Sequence, residues 1–468
     1  MEENSSMKKN TIVTTDTIAA ISTAQGEGAI GIVRLSGSKA YQIFREIFSP
    51  AKPIKKYQSH RLYYGSIMNG SNKSLLDRVM IAFMKAGQTY TGEDMVEIYT
   101  HGGSHVINTV LQRVLEAGAR LADRGEFTRR AFLNGKMDLL QAEAVLDLIR
   151  ADTDAARVQA IKQISGALSE FIDSIKKKLV QVKSIIEVLI DFPEEDVSPK
   201  QLFDLKFILQ AALDEVVHVL KSYEHAKVIR EGVYVVLIGR PNVGKSSLFN
   251  VIVGENRAIV TPHPGTTRDY IEEAISINGI KLVFTDTAGI RSSEEPVEKL
   301  GIAMTRTMVE KSDIVVVVTD PSAASQYGDE LSIAHEHKDK VIIAVNKVDI
   351  ASAEQIEQAK KTFKDYTVFP VSAKTREGIE SLLQGISGPS HAPSIENTPV
   401  INRHRHKQAL EHIKLSVHAA INLIDQQAFP EIVAEEVDSA LVGLKELSGE
   451  VTTQDILDKI FAEFCIGK

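Results

Sequence analysis

Residues 233–247 read Val-Tyr-Val-Val-Leu-Ile-Gly-Arg-Pro-Asn-Val-Gly-Lys-Ser-Ser, an apolar run followed directly by a glycine-containing loop and a Lys-Ser pair. This order predicts a buried strand, a phosphate-binding P-loop and the start of a helix. Backbone N–H groups of such a loop cradle phosphates, Lys245 brings a charge to the β and γ oxygens, and the Ser246 hydroxyl can ligate Mg²⁺. The predicted triphosphate site comprises Asn242, Val243, Gly244, Lys245, Ser246 and Ser247.

Two later segments extend this site toward the γ-phosphate. Lys281–Asp286 predicts a second buried strand, so Asp286 stands at a strand end where it can hold Mg²⁺ through water, and Gly289 can offer its N–H to the γ-phosphate. A switch region lies between the P-loop helix and this strand, and its Thr267 hydroxyl can complete the Mg²⁺ shell. The nucleotide contacts predicted here are Gly265, Thr266, Thr267, Asp286, Thr287, Ala288 and Gly289.

Two further segments of the sequence are predicted to select the base. The apolar run 341–345 precedes Asn346-Lys347-Val348-Asp349, whose carboxylate can accept hydrogen bonds from both N1–H and the exocyclic amine of guanine. Adenine lacks this donor pair, and a wrong base would leave a charge unpaired. Ser372, Ala373 and Lys374 follow the strand-like run 367–371 and complete the pocket. The predicted ligand is therefore GTP.

Composition describes a soluble, intracellular type of chain. Its 468 residues are 43% hydrophobic and 25% charged, values typical of a globular protein of two or three domains without a membrane span. The N-terminus lacks the apolar core of a secretory signal, so a cytoplasmic location is expected. One cysteine, Cys465, excludes an internal disulfide framework, and a net charge of −8 argues against nonspecific coating of nucleic acid.

The predicted secondary-structure pattern changes three times along the sequence. Residues 1–125 are rich in strand patterns, with strands predicted at 30–35, 61–64, 78–83 and 95–99, and these patterns predict an α+β domain. Residues 126–231 have helical periodicity, and the stretch 152–191 is interrupted only by Gly166. Residues 232–388 alternate strands and helices, with an Asn278-Gly279 hairpin, as in a Ras-like G domain. Helical patterns return over 389–468. The predicted fold class is a multidomain α/β and α protein, in which a Ras-like P-loop G domain is inserted into a helical bundle formed from two chain segments.

Hydrolysis needs a substitute for the usual water-orienting glutamine. Ile290 occupies the position where Ras-type enzymes carry that residue. A cation between the phosphates can replace an arginine finger, and Asn242 offers a neutral oxygen suited to K⁺; the alternative is an asparagine that only caps the loop. Glu298 and Arg291 are candidates for water orientation and switch contacts, or are solvated surface charges.

Several motifs outside the G domain carry a family resemblance. Tyr-Thr-Gly-Glu-Asp at 90–94, His-Gly-Gly at 101–103, Gly-Glu-Phe-Thr at 125–128, Arg-Ala-Phe-Leu-Asn-Gly-Lys-Met-Asp at 130–138 and Phe-Cys-Ile-Gly-Lys at 464–468 accompany the G motifs. Together they resemble the MnmE (TrmE) family over essentially the whole chain. The G motifs alone would fit many translational GTPases, whereas the terminal motifs are specific to this family.

The resemblance implies a homodimer whose G domains meet across the nucleotide. It implies Lys245 and Asn242 as catalytic groups, with Glu298 orienting water. The implied loop of nucleotide contacts consists of Thr261, Pro262, His263, Pro264, Gly265, Thr266 and Thr267. K⁺ is expected at Asn242, Thr261, His263 and Thr266, mostly through backbone oxygens, so the identity of His263 should not prevent its binding.

The family also binds a folate through its N-terminal domain. It works with the FAD-dependent protein MnmG to modify the wobble uridine of certain tRNAs, using a one-carbon unit from 5-formyl- or 5,10-methylene-tetrahydrofolate. The matching folate positions are Arg34, Glu97, Lys136 and Lys468; the cations suit folate carboxylates and the glutamate suits the pterin. Each of the four could equally be a salt bridge.

Two interpretations stay open from sequence. The basic run Arg403–Lys407 could bind phosphate groups of tRNA, or it could be the solvated start of a helix. A ribosome-assembly GTPase would share this G domain, but such relatives append a KH module or a second G domain, and neither pattern occurs here. A tRNA-modifying GTPase without a membrane segment is therefore the favoured function.

Overall fold

A computed structural model describes residues 16–24, 26–70, 74–192, 199–255, 271–286, 307–323, 332, 335–388 and 399–468. The chain divides into two compact units. Unit 1 comprises the described residues of Met1–Leu146 together with Gln163–Leu205 and Ala419–Lys468, and unit 2 comprises Asp147–Lys162 and Lys206–His418.

The strands are β1 (Ile18–Ile21), β2 (Ile30–Ser36), β3 (Phe48–Pro50), β4 (Arg61–Met68), β5 (Leu75–Met84), β6 (Met95–His101), β7 (Arg120–Leu121), β8 (Val233–Ile238), β9 (Ile271–Ile277), β10 (Ile280–Asp286), β11 (Ile314–Thr319), β12 (Val341–Val345) and β13 (Thr367–Pro370). The helices are α1 (Ala40–Ile47), α2 (Ser104–Glu116), α3 (Glu126–Leu133), α4 (Leu139–Ile149), α5 (Asp154–Ile164), α6 (Ala167–Asp191), α7 (Pro199–Lys221), α8 (Tyr223–Glu231), α9 (Lys245–Glu255), α10 (Ala353–Thr362), α11 (Ile379–Ser387), α12 (His404–Asp425), α13 (Pro430–Ser448) and α14 (Gln454–Ala462).

Unit 1 contains a sheet with helices on one face. Within the described residues its strand order is β3-β4-β5-β6-β2-β1-β7. Alternate residues of β2, β5 and β6 enter a core with α1 and α2, for example Val33, Ile81 and Ile98, while the residues between them, such as Arg34, Met80 and Glu97, lie on the opposite face. The multidomain fold class and the four predicted N-terminal strands are confirmed, whereas the short strands β1, β3 and β7 were not predicted.

The helices of unit 1 come from distant parts of the chain. Gly166, at φ 94°, ends the helical stretch that begins at α5 and precedes α6, so the predicted interruption is real. Helix α6 packs against α13. Lys176 lies 2.7 Å from Glu450, and Lys183 pairs with Asp438, whose hydrogen bond raises the lysine pKa. Two segments separated by the whole nucleotide region thus form one helical layer.

Unit 2 contains the sheet that supports the P-loop. Its described strands follow the order β13-β12-β11-β8-β10-β9, parallel except for β9. Along β8, Val235 and Leu237 enter one core, and Val236 and Ile238 enter the core on the other face. This two-sided burial explains the uninterrupted apolar run in the sequence. The β9–β10 hairpin turns at Asn278-Gly279, with φ values of 52° and 81°.

The segments before and after the nucleotide region both lie close to the carboxylate of Asp147. Asp147 of α4 accepts hydrogen bonds from Arg403 at 2.5 Å and from the Asn402 amide at 3.1 Å, and Arg230 lies 3.9 Å away. Arg230 precedes β8, whereas residues 402 and 403 follow α11 and precede α12. The ends of the intervening region therefore lie close together, as an inserted domain requires.

A buried ion network holds the N-terminal sheet of unit 1 to α3. Arg130, only 3% exposed, binds Asp16 at 2.8 Å, Glu126 at 2.9 Å and Glu93 at 3.2 Å. Arg120 binds Asp16 and Glu126 at 2.7 Å but is 44% exposed. Burial acts to raise the pKa of Asp16 and of Glu126, yet hydrogen bonds from the two arginines outweigh it and lower both pKa values.

We expect Arg130→Met to destabilise the protein by about 3–5 kcal/mol at pH 7, because it removes the buried arginine from Glu93 and Glu126, whose side chains are only 18% and 11% exposed. Arg120→Met is the matched control, since it removes an exposed arginine from the same two carboxylates and should cost less than about 1 kcal/mol. Thermal unfolding of both variants measures the difference. Equal losses of stability in the two variants would contradict the view that the buried Arg130 contributes most to the network.

The same network predicts how this difference depends on pH. Because the folded pKa values of Asp16 and Glu126 lie below 3.8 and 4.5, their stabilisation is present above those values and is lost as the pH falls through the folded pKa. The difference in the free energy of unfolding between wild type and Arg130→Met should therefore become smaller as the pH falls. A gap that widens below pH 4 would be inconsistent with ionised carboxylates.

Candidate guanine nucleotide site

The P-loop follows β8 and ends at the start of α9, as predicted. Gly239 and Gly244 have φ values of 144° and 97°, which favour glycine. A Cβ on Gly239 would lie 2.2 Å from the Val318 carbonyl oxygen, and one on Gly244 would lie 2.3 Å from the Asn346 amide nitrogen. The loop therefore passes too close to the neighbouring strand ends for any side chain at these positions.

Lys245 and Ser246 open helix α9 beneath the loop. The Lys245 ammonium donates to the carbonyl oxygens of Gly239 and Arg240, both at 2.8 Å, and so lies over the concave side of the loop. Ser246 and Ser247 are exposed at the helix start. This arrangement places a cation, hydroxyl groups and the N-terminal end of a helix at one location, which suits phosphate and Mg²⁺.

The side chain of Asn346 forms hydrogen bonds with the P-loop and with the loop 372–374, which is predicted to complete the base pocket. Its buried amide nitrogen donates to the carbonyl of Val243 at 2.8 Å, while its amide oxygen accepts the N–H of Ala373 at 3.0 Å. The side chain is 1% exposed, so each of these hydrogen bonds replaces one that water would otherwise supply. Three predicted segments of the site are thereby brought together.

Asp349 faces the same loop. Its Oδ1 accepts a hydrogen bond of 2.6 Å from the Ser372 hydroxyl, and Ser372 in turn accepts the N–H groups of Lys374 and Thr375. The N–H of Val348 donates to Val371 at 3.3 Å. A carboxylate with one oxygen held by a serine keeps a fixed orientation, as recognition of the guanine edge requires.

The γ-phosphate side of the predicted site is described only at Asp286. Asp286 is the last residue of β10 and is paired with Leu237 of β8, so its backbone lies at the sheet edge that carries the P-loop. The other predicted contacts on this side lie outside the described residues: Thr261, Pro262, His263, Pro264, Gly265, Thr266, Thr267, Thr287, Ala288, Gly289 and Glu298, together with Ile290 and Arg291.

In unit 1, two predicted folate residues form an ion pair on the face of the sheet opposite to α1 and α2, where their side chains are 18% and 17% exposed. Arg34 of β2 donates from Nε and Nη2 to Glu97 Oε1 of β6, at 3.0 and 2.8 Å. The hydroxyl of Tyr99 donates to the other Glu97 oxygen at 2.8 Å, and burial followed by this bond raises the tyrosine pKa to about 12. The Phe127 ring lies 5.8 Å from the Arg34 guanidinium. Tyr99 was missed from sequence, although residues 97 and 99 of one strand share a face.

Lys468 joins this pair, while Lys136 makes a different contact. The segment 465–468 is held by backbone bonds from Gly125 to the Cys465 carbonyl and from Phe127 to the Lys468 carbonyl. Burial, and then the nearby Arg34, lower the pKa of the Lys468 ammonium. Lys136 instead donates to the Gly87 carbonyl at 2.8 Å, before β6.

The basic run at the start of α12 is engaged with acidic partners. Arg403 pairs with Asp147, Lys407 pairs with Glu224 at 3.0 Å, and His406 is 1% exposed. A simply solvated helix start is therefore incorrect, because part of the run is buried. In the part of the chain that the structure describes, no helix is both long and apolar enough to cross a bilayer.

Comparison with known proteins covers nearly the whole chain. A family model described as "MnmE helical domain" matches residues 139–465, and one described as "GTP-binding protein TrmE N-terminus" matches residues 17–136. A protein of Clostridioides difficile named tRNA modification GTPase MnmE is 41% identical over 97% of this chain and 99% of its own length. Proteins of the same name from Natranaerobius thermophilus and Geobacter sulfurreducens are 38% and 42% identical, again over 97% of this chain and 100% and 99% of their lengths. The two-part match to family models and the identity over nearly full length show that the chain belongs to the MnmE (TrmE) family of tRNA modification GTPases.

Proposed function

We propose that this GTP-hydrolysing enzyme uses Mg²⁺ and K⁺ and, with an FAD-dependent partner of the MnmG type, modifies the wobble uridine of certain tRNAs. The product would be a 5-carboxymethylaminomethyl or aminomethyl uridine, made with a folate one-carbon unit. The observation that carries the proposal is the joined P-loop and base loop, in which Asn346 links Val243 to Ala373. It supports a guanine nucleotide site, and family membership supports its use in tRNA modification.

The described residues have distinct roles in this proposal. Lys245 and the backbone N–H groups of 242–247 hold the triphosphate, and the Ser246 hydroxyl holds Mg²⁺ with Thr267. Asp349, oriented by Ser372, accepts the two guanine donors. Lys347 and Lys374 border the base from either loop. We further propose that Glu298 orients the attacking water.

A monovalent cation fits the chemistry of Asn242. This P-loop residue is exposed and has a φ of 65°, a left-handed conformation that asparagine tolerates better than most residues. Its neutral amide oxygen can ligate K⁺, and backbone oxygens of Thr261, His263 and Thr266 would complete the site. Bound K⁺ would stabilise the charge that develops between the phosphates during hydrolysis.

A folate with carboxylate groups fits the cations of unit 1. Burial lowers the pKa of the Lys468 ammonium, and the nearby Arg34 lowers it further, so two positive charges repel each other there. An anionic ligand would relieve this repulsion. Glu97, held by Arg34 and Tyr99, offers an acceptor for pterin N–H groups. Lys136 completes the proposed set.

Family membership supports a set of partners and a location. We propose a homodimer, in which G domains of two copies meet across the nucleotide, and a hetero-oligomer with the MnmG-type protein. The substrate is a tRNA and the location is the cytoplasm.

The central test measures modified nucleosides in bulk tRNA from cells that lack this chain. We expect 5-substituted wobble uridines to disappear and to return with the wild-type chain but not with Asp349→Asn, because that variant loses the acceptor for guanine. Purified Asp349→Asn should prefer xanthosine triphosphate over GTP. Mass spectrometry of nucleosides and nucleotide-binding titrations provide the two readouts.

Asp365→Asn is the matched control, since this exposed aspartate lies in the turn before β13. It should restore the modification fully. An unchanged nucleoside profile in the deletion, with accumulation of ribosomal subunits, would instead favour a ribosome-assembly GTPase.

Replacing K⁺ by Na⁺ should slow GTP hydrolysis at least about tenfold while GTP affinity stays the same, since the cation acts on the transition state. Asn242→Ala should remove this difference between the salts. Asn278→Ala, which changes another asparagine with positive φ in unit 2, should retain it. Equal rates of the wild-type protein in both salts would remove the proposed cation role.

Arg34→Met should weaken binding of 5-formyl-tetrahydrofolate at least about tenfold, because a charge-assisted hydrogen bond is worth about 1.5–3 kcal/mol. Glu97→Gln, which keeps the shape of the side chain, should also weaken it. Arg78→Met removes an exposed arginine from β5 of the same sheet and should leave binding intact. Calorimetric titration measures all three, and unaffected affinity in both site variants would refute this folate site.

A further inference from the structure

Asp320 is an acidic residue beside the P-loop that none of the nucleotide motifs includes. It follows β11, the strand that pairs with the P-loop strand β8. Its Oδ1 accepts the backbone N–H of Ser322 at 2.9 Å and the Ser322 hydroxyl at 2.7 Å. Its Oδ2 accepts the Lys347 ammonium at 2.8 Å. Each carboxylate oxygen therefore has its own defined contact.

Lys347 connects this carboxylate to the P-loop. Its ammonium also donates to the backbone carbonyl of Asn242 at 2.7 Å. Both Lys347 and Asn242 have a φ of 65°, so each occupies a left-handed conformation that non-glycine residues seldom adopt. The Lys347 ammonium thus links the end of β11 to a backbone carbonyl of the phosphate loop.

A second acceptor matters because of the nature of the lysine side chain. An ammonium on a four-carbon stem has three donors and many rotamers, so one carbonyl alone fixes it poorly. The side chains of Asp320 and Lys347 are 17% and 33% exposed, which limits competition from water. Although burial acts to raise the pKa of Asp320, the bonds from Lys347 and Ser322 lower it, and the group is a carboxylate at neutral pH.

We propose that Asp320 is a positioning residue of the nucleotide site, which acts through Lys347 to hold the P-loop backbone at Asn242. The inference rests on the assignment of these loops to a guanine nucleotide. Lys347 belongs to the base-recognition motif, so the same contact couples the orientation of the base side of the pocket to that of the phosphate side.

A purely local role is the competing explanation, since Oδ1 caps the short turn that contains Ser322. Asp320→Asn separates the two roles. An asparagine retains one amide oxygen, which can continue to accept from Ser322, but its amide nitrogen cannot accept from an ammonium. The substitution therefore removes the acceptor for Lys347 while an acceptor for Ser322 remains.

The test is the dissociation rate of a fluorescent GDP analogue, measured by displacement with excess GDP. Asp320→Asn should release it about tenfold faster, since one charge-assisted hydrogen bond is lost. Asp320→Glu, which keeps the charge, should recover part of the difference. Ser322→Ala, which removes the hydroxyl contact to Oδ1 and keeps the backbone N–H contact, should remain within about twofold of wild type.

A double-mutant cycle shows whether Asp320 acts through Lys347. Lys347→Ala alone should accelerate release, and adding Asp320→Asn to it should change nothing further. The inference is overturned if Asp320→Asn releases GDP at the wild-type rate, or if the two effects multiply in the double variant. Melting temperatures of all variants reveal any loss of folding, and the comparison within the Lys347→Ala background stays informative in that case. Failure of the wild-type chain to bind GDP would refute the nucleotide site itself.

Discussion

The hydrogen bonds of one buried side-chain amide join the two loops that we propose as the nucleotide site. Asn346 stands at the end of a strand that is buried on both faces, and its amide joins Val243 in the P-loop to Ala373 in the base loop. A buried side-chain amide without hydrogen-bond partners would destabilise the fold by about 1–3 kcal/mol. The two loops therefore stabilise the position of Asn346, and Asn346 stabilises the positions of the two loops. Gly244 is required because its missing side chain leaves the space that this amide occupies.

Short-range patterns in the sequence predicted the parts of the fold that local physics determines. The strand, loop and helix around Gly239 were predictable because burial on two faces, positive φ and a helix start each have a local signature. The Asn278-Gly279 hairpin and the interruption at Gly166 were predictable for the same reason. Contacts between distant residues have no such signature. Asp320, Tyr99 and Asp147 are ordinary polar residues in sequence, and their partners lie 27 to 256 positions away or on an alternate position of the same strand. The four folate positions came from family resemblance, and only the structure brings Arg34, Glu97 and Lys468 together while giving Lys136 a separate contact.

Charge is arranged in two different ways within unit 1. Around Arg130, the arginines and carboxylates pair densely, and the carboxyl pKa values are lowered. Such compensation favours a structural role, because every buried charge already has a partner. Around Glu97, Arg34 and Lys468 are both cationic groups, and the lysine pKa is lowered. Burial and then the neighbouring Arg34 cause this lowering, and the carboxylates of the proposed folate would offset it.

The pairing of α6 with α13 has a consequence for synthesis on the ribosome. Lys183 and Asp438 are separated by 255 residues, and the complete nucleotide region lies between them. A chain made from its N-terminus exposes the apolar side of α6, including Ile175, Leu179 and Val182, until α13 has been translated. At a synthesis rate of about 5–20 residues per second, this interval lasts roughly 10–50 seconds. During that time the nucleotide region can fold on its own strands, before α13 is available to pack against α6.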